Sequence, residues 1–90
     1  MPSPKFPLGI IVNTPGVIEQ VDREDAYACL VKHETADWDD APAEDRKENE
    51  TALACGLRIW TTHRDRNNVL FWIITEADRS TTTLMLPSEY

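Results

Sequence analysis

Residues 57–87 read LRIWTTHRDRNNVLFWIITEADRSTTTLMLP, and their pattern decides the fold class. The first segment alternates. Leu57, Ile59 and Thr61 fall on one side and Arg58, Trp60 and Thr62 on the other, the period of a half-buried strand. Val69 to Ile74 is continuously apolar, as a central strand covered on both faces should be. TTTLMLP is a third strand, stopped by Pro87, which has no backbone N–H to continue a ladder. Asp65-Arg66-Asn67-Asn68 is a turn, because Asn tolerates positive φ. The expectation is an antiparallel meander with Val69–Ile74 in its centre, paired with Leu57–Arg64.

Between the second and third strands lies Glu76-Ala77-Asp78-Arg79-Ser80. Two readings compete. A Ser or Thr nucleophile needs a positioned base, and Glu76 and Asp78 are near in sequence. A structured turn needs only that Asp78 accept backbone N–H groups and that Arg79 pair with a carboxylate. The second reading requires no distant partner, so Glu76, Asp78, Arg79 and Ser80 are expected to be structural.

Working toward the N-terminus, Pro42 and Gly56 bracket a helix over 41–55. Its apolar residues, Ala52, Leu53 and Cys55, lie near its end. The first half, AEDRKENE, has no apolar stripe and should project its charge into solvent. A second helix begins at Asp22, a good N-cap with Glu24 and Asp25 in the first turn. It should run to about His33 with Ala26, Tyr27, Leu30 and Val31 on its buried face and Cys29 beside them. Before it, Thr14 and Pro15 predict a helical turn carrying Val17, Ile18 and Val21, or a Pro-Gly turn between strands. LGIIVNT reads as a short strand joining the sheet edge. The proline-rich residues 1–7 read as a loose arm. The whole, 1–90, is one α+β domain: an antiparallel three- to four-stranded sheet with two or three helices packed on one face.

Composition limits function. The 90 residues are 41% hydrophobic and 28% charged, which fits a globular domain. The formal net charge is −7, from 9 Lys and Arg against 16 Asp and Glu. This balance argues against direct nucleic-acid binding, which needs a positive footprint; only a local stripe of Arg58, Arg64 and Arg66 could supply one. No run is long enough to span a membrane, no secretory h-region opens the chain, and the expected compartment is the cytoplasm. Three glycines permit no phosphate-binding loop. Cys29 and Cys55 form no metal or redox motif and read as small core residues. His33 with Asp37, and His63 with Asp65, are the best metal reading. A site needs three or more convergent ligands, so neither metal nor cofactor is expected. The plainer reading of the histidines is partial exposure, His33 as a cation at a helix C-terminus.

LGIIVNTPG, KHETADWDDAPAEDRKENETALACGLRIW and FWIITEADRSTTTLMLPSEY together resemble a family of small uncharacterised proteins carried by bacterial plasmids and integrative elements. These are described only as hypothetical or plasmid-related, sometimes with a link to type I restriction subunits. The resemblance spans nearly the whole chain and brings no catalytic residues. It implies transfer, maintenance or evasion of host defence. The leading expectation is therefore a non-enzymatic accessory factor that binds a protein with a basic surface, in one form an inhibitor of a host-defence protein. The surface would comprise Trp38, Asp39, Asp40, Glu44, Asp45 and Glu48, where clustered carboxylates could imitate phosphate charge. The plain alternative for the acids is a solvated helix face, and for Trp38 packing against the core. The alternative function is a small hydrolase or metal-dependent enzyme using His33, His63 and the Glu76–Ser80 turn.

Overall fold

The computed structural model describes residues 3–38 and 41–90. In chain order it contains β1 (Ile10–Asn13), α1 (Pro15–Gln20), α2 (Arg23–Glu34), α3 (Ala43–Cys55), β2 (Ile59–Arg64), β3 (Leu70–Thr75), β4 (Thr81–Met85) and a final 3-10 turn, Pro87–Glu89. The strands form one sheet in the order β1-β4-β3-β2. The meander is as expected: β3 pairs antiparallel with β2, His63 opposite Phe71, and with β4, Ile73 opposite Leu84. The expectation of a purely antiparallel sheet is corrected by β1, which runs parallel to β4 with Ile10 opposite Thr81. Strand direction is set by how the chain returns after the crossover, and no local pattern in LGIIVNT encodes it. The class, α+β, holds, and its four-stranded sheet is mixed.

Alternation along the strands gives the sheet one inward face, made by Ile59, Thr61, Phe71, Ile73, Thr75, Thr82 and Leu84, all buried. Val17 of α1 and Leu30 of α2 pack there with Phe71, Ile73 and Leu84. Ala52 of α3 packs with Ile59, Trp38 and Phe6. Phe6 lies in the region read as a loose arm, yet it is buried, and Lys5 N–H donates to Glu34 O at 2.7 Å. Burying a ring of this size outweighs ordering the few residues before β1. On the opposite face Trp60, Trp72 and Tyr90 form an aromatic trio, the two indoles edge-to-face at 4.8 Å.

Several local signals act as their chemistry requires. The Asp22 carboxylate accepts Asp25 N–H and caps α2. Gly56 closes α3 at φ 69, where a Cβ would be strained. Asn68 takes φ 65 in the β2–β3 turn, and Asp65 accepts the N–H groups of Asp22, Asn67 and Val69. Other expectations are displaced. Thr14 does not cap α1 with its side chain; its hydroxyl donates to Glu89, whose other oxygen accepts Gly16 N–H at 2.9 Å. The buried stripe of α2 is Leu30 and His33 with Ala26 and Cys29 against the core, while Tyr27 is exposed. Cys55 is exposed and Cys29 half-buried, so only Cys29 contributes to the core, and burial pushes its thiol pKa up. Helix α3 starts at Ala43 with Pro42 as its cap residue. Among the described residues no helix is long and apolar enough to cross a membrane.

The Glu76–Ser80 turn holds the end of α3. The Ser80 hydroxyl, and the Ser80 N–H that Asp78 accepts at 3.0 Å, keep the Asp78 pKa below the usual carboxylate value. Arg79, at φ 61, donates to the carbonyls of Leu57, Glu76 and Ala52 at 2.6, 3.1 and 3.2 Å. Its expected carboxylate partner is thus replaced by backbone oxygens, of which those of Ala52 and Leu57 lie at the C-terminal end of α3, and its guanidinium also lies over the Phe6 ring. Arg79→Met should cost about 1.5–3 kcal/mol, the range for hydrogen bonds to a charged group. Urea denaturation measures it, and an unchanged midpoint would deny the turn this role.

Candidate cleft and the histidine–threonine chain beneath it

The first half of α3 is exposed from Ala43 to Glu48, as a helix without an apolar stripe must be. Its one buried polar residue, Asn49, accepts Trp60 N–H at 3.4 Å and covers the outer edge of β2. Helix and strand edge enclose a cleft of about 320 Å³. Its lining includes Trp38 and Trp60 as aromatic walls, Asp37 and Asp45 as carboxylates, Lys32, Asn49, Thr61 and His63. A second hollow of about 390 Å³ adjoins it, sharing Asp45, Asn49, Trp60 and Thr62 and adding Glu48 and Arg58.

From His63 in the cleft wall a chain of polar groups runs inward, the rest of it buried. His63 Nε2 lies 2.7 Å from Thr61 Oγ1, which lies 2.7 Å from His33 Nδ1. His33 Nε2 lies 2.7 Å from Thr75 Oγ1, which lies 2.8 Å from Thr82 Oγ1. Thr82 donates to the Leu8 carbonyl at 2.7 Å. That last acceptor orders every proton, because a carbonyl cannot donate and each hydroxyl has one hydrogen. Thr82 gives its hydrogen to Leu8, Thr75 to Thr82, and His33 its Nε2–H to Thr75. A neutral His33 then accepts from Thr61 at Nδ1, 2.7 Å away, in preference to the Ile73 carbonyl 3.5 Å from the same hydroxyl, and Thr61 accepts from His63 Nε2–H. Both imidazoles are thereby the Nε2–H tautomer, and His63 keeps Nδ1 as an acceptor.

Burial enforces neutrality. His33 is 1% exposed, and loss of hydration, with His63 and Arg79 nearby, lowers its pKa to about 3. The same cause, with Lys32, lowers His63 to about 4. The expected cationic, partly exposed His33 is therefore corrected to a neutral core residue. Its spacing from Leu30 places it on the inner face of α2. An unpaired imidazole there would be costly, and Thr61 and Thr75 remove that cost. Among the described residues no buried side-chain nitrogen or oxygen lacks a partner.

Of the residues expected at a partner surface, Asp45 lines both hollows and Glu48 the second. Glu44 is exposed on α3 outside them. Trp38 adopts the packed alternative, buried with its indole N–H donating to Glu50 at 3.0 Å, and presents only a wall to the cleft. Asp39 and Asp40 lie outside the described residues. His33 and His63 come together through Thr61, but the Glu76–Ser80 turn does not join them, since Arg79 holds it against the end of α3. Asp65 is committed to backbone N–H groups, that of Asp22 at the N-terminus of α2 and those of Asn67 and Val69 in the turn. Among the described residues no group of three or more His, Cys, Asp or Glu could hold a metal. Arg58, Arg64 and Arg66 form no stripe. Arg58 pairs with Glu76, Arg64 bonds Asn68, and Arg66 clasps Asp25 with both its guanidinium and its backbone N–H. The pattern missed Asn49 and Trp60. Asn49, the polar residue one turn before Ala52 and Leu53, was the available signal.

No protein-family model, curated protein or solved structure matches the chain.

Proposed function

We propose that the chain is a non-enzymatic binding protein whose working surface is the cleft between α3 and β2, and that its partner is a protein presenting a basic side chain. The supporting observation is the pairing of two carboxylates, Asp37 and Asp45, with the aromatic walls Trp38 and Trp60. A guanidinium or ammonium entering such a cleft meets opposite charge and π faces together. The exposed Glu44 and Glu48 extend the negative field along α3 and would speed the approach of a cationic partner. The resemblance to plasmid-borne proteins makes a host-defence protein the class of partner to seek.

The hydrolase alternative has less support. A base with a pKa of about 3 accepts little from a Thr61 hydroxyl at neutral pH. The turn that was to complete the arrangement lies at the end of α3.

The test is a nuclear magnetic resonance titration with short arginine- and lysine-containing peptides. The indole N–H of Trp38 and Trp60 and the side-chain amide of Asn49 should shift, and added salt should weaken the effect. Asp45→Asn with Glu48→Gln should leave stability within about ±0.5 kcal/mol per site and reduce affinity several-fold. Shifts confined to other surfaces, or unaffected by the double change, would remove the cleft as the basic-group site.

A further inference from the structure

The proton order of the histidine–threonine chain leaves a defined acceptor in the cleft. His63 gives its Nε2–H to Thr61, because every hydrogen in the chain runs toward the Leu8 carbonyl. With a pKa of about 4 the ring is neutral at pH 7, so Nδ1 carries a lone pair. No described group bonds Nδ1, yet among the described residues no buried side-chain nitrogen or oxygen lacks a partner. Nδ1 is therefore open to solvent, and the hollow that His63 lines is the cleft.

Three acceptors thus line the cleft from three parts of the chain: Asp37 after α2, Asp45 in the first turn of α3 and His63 on β2. They are spread rather than focused on one point, since among the described residues no group of three or more His, Cys, Asp or Glu could hold a metal ion. A lysine ammonium is a compact point charge and suits focused acceptors. A guanidinium is a plane from which five N–H donors fan outward, so it reaches acceptors on separate walls at once. Its flat face also stacks on aromatic rings, and Trp38 and Trp60 supply them. Lys32 lines the same cleft, but two carboxylates against one ammonium leave the described lining negative.

Resting on the binding reading above, we propose that the group this cleft selects is the guanidinium of an arginine carried by the partner protein, with His63 Nδ1 as the acceptor that distinguishes it from lysine. The guanidinium lies against the indoles, donates to the carboxylates and gives one N–H to His63. That last bond lengthens the buried chain, in which every donor already points toward Leu8, and aligned hydrogen bonds strengthen one another. A free amino acid would bring its own carboxylate against Asp37 and Asp45, which favours an arginine within a chain.

The test compares a capped glycine–arginine–glycine peptide with its lysine and citrulline counterparts and with free arginine, at pH 7, on protein with nitrogen-15 in its histidines. The arginine peptide should bind about 10-fold more tightly than the other two peptides, and more tightly than free arginine. It should move the His63 Nδ1 resonance toward that of a hydrogen-bonded nitrogen. His63→Phe keeps a ring against Phe71 but removes the acceptor. It should weaken the arginine peptide about 5-fold, the value of one hydrogen bond, and leave the lysine peptide within about 2-fold. The Nδ1 resonance of the unaltered protein decides the matter alone if this variant does not fold. Equal binding of the arginine and lysine peptides at Trp38 and Trp60, or arginine binding that leaves Nδ1 unmoved, overturns the guanidinium assignment while the cleft remains a site for basic groups. Tighter binding of free arginine than of its peptide overturns the protein-borne source. Indole resonances that no probe moves overturn the cleft reading itself.

Discussion

Phe71→Ala should cost about 3–5 kcal/mol, the combined effect of lost transfer energy and the cavity left behind. Phe71 is fully buried in the central strand, within the cluster that includes Val17, Leu30, Ile73 and Leu84. It also touches the His63 ring, 5.6 Å between centroids, so its loss should loosen the floor of the cleft. Domains of this size have total stabilities of about 5–15 kcal/mol, so the variant should be close to unfolding in water. Urea denaturation gives the number. A loss below about 1 kcal/mol would mean that the cluster refills the space and that β3 is not the strand on which the core is built.

Acid should produce the second large effect. Both imidazoles have lower pKa values in the fold, about 3 for His33 and about 4 for His63, than the 6.5 of a free histidine. Between those limits the unfolded chain binds protons that the folded chain refuses, so stability rises with pH. The contribution of neutral His33 is complete above pH 6.5. It falls by about 1.4 kcal/mol per pH unit as the pH drops toward 3, on the order of 4–5 kcal/mol in all. The carboxylates held low by hydrogen bonds, such as Asp65 and Glu89, lose their contribution only below their ordinary values of 3.8 and 4.5. The interval from pH 6 to 5 therefore isolates the histidines. Denaturation curves at pH 8, 6, 5 and 4 should show the loss, and His33→Gln should flatten the upper part of it. Imidazole nitrogen resonances should report neutral Nε2–H tautomers for both residues at pH 6. A protonated His33 at that pH would contradict the proton order derived from Leu8.

The meander was legible because each strand carries its own signature: alternation in Arg58–Thr62, a continuous apolar run before Thr75, and β-branched residues stopped by Pro87. Helix ends were legible at Asp22 and Gly56, where one residue type meets one backbone need. The cleft was legible only in part. Charged, stripe-free α3 announced an exposed helix, but Asn49 acquires its role from Trp60 on another element. The buried chain was hidden for a related reason. His33 looked like a cation at a helix end, and Thr61, Thr75 and Thr82 like ordinary strand content. Strand alternation puts all three threonines on the inner face, yet that Thr61 and Thr75 meet one imidazole and Thr82 meets Thr75 depends on the register between three strands and a helix. The direction of β1 was likewise absent from its own residues.

The parallel pairing of β1 with β4 also governs how this chain can fold. Ile10 meets Thr81 and Asn13 meets Leu84, contacts separated by most of the sequence. The β2–β3 and β3–β4 pairs close over short turns and can form early at little entropic cost. β1 must wait for β4. During synthesis on a ribosome, β1 is made before the other strands of the sheet yet is placed after them, and its uncharged segment stays unpaired with β4 until that strand emerges. Slow placement of such a segment is the interval in which a nascent chain is most exposed to wrong partners.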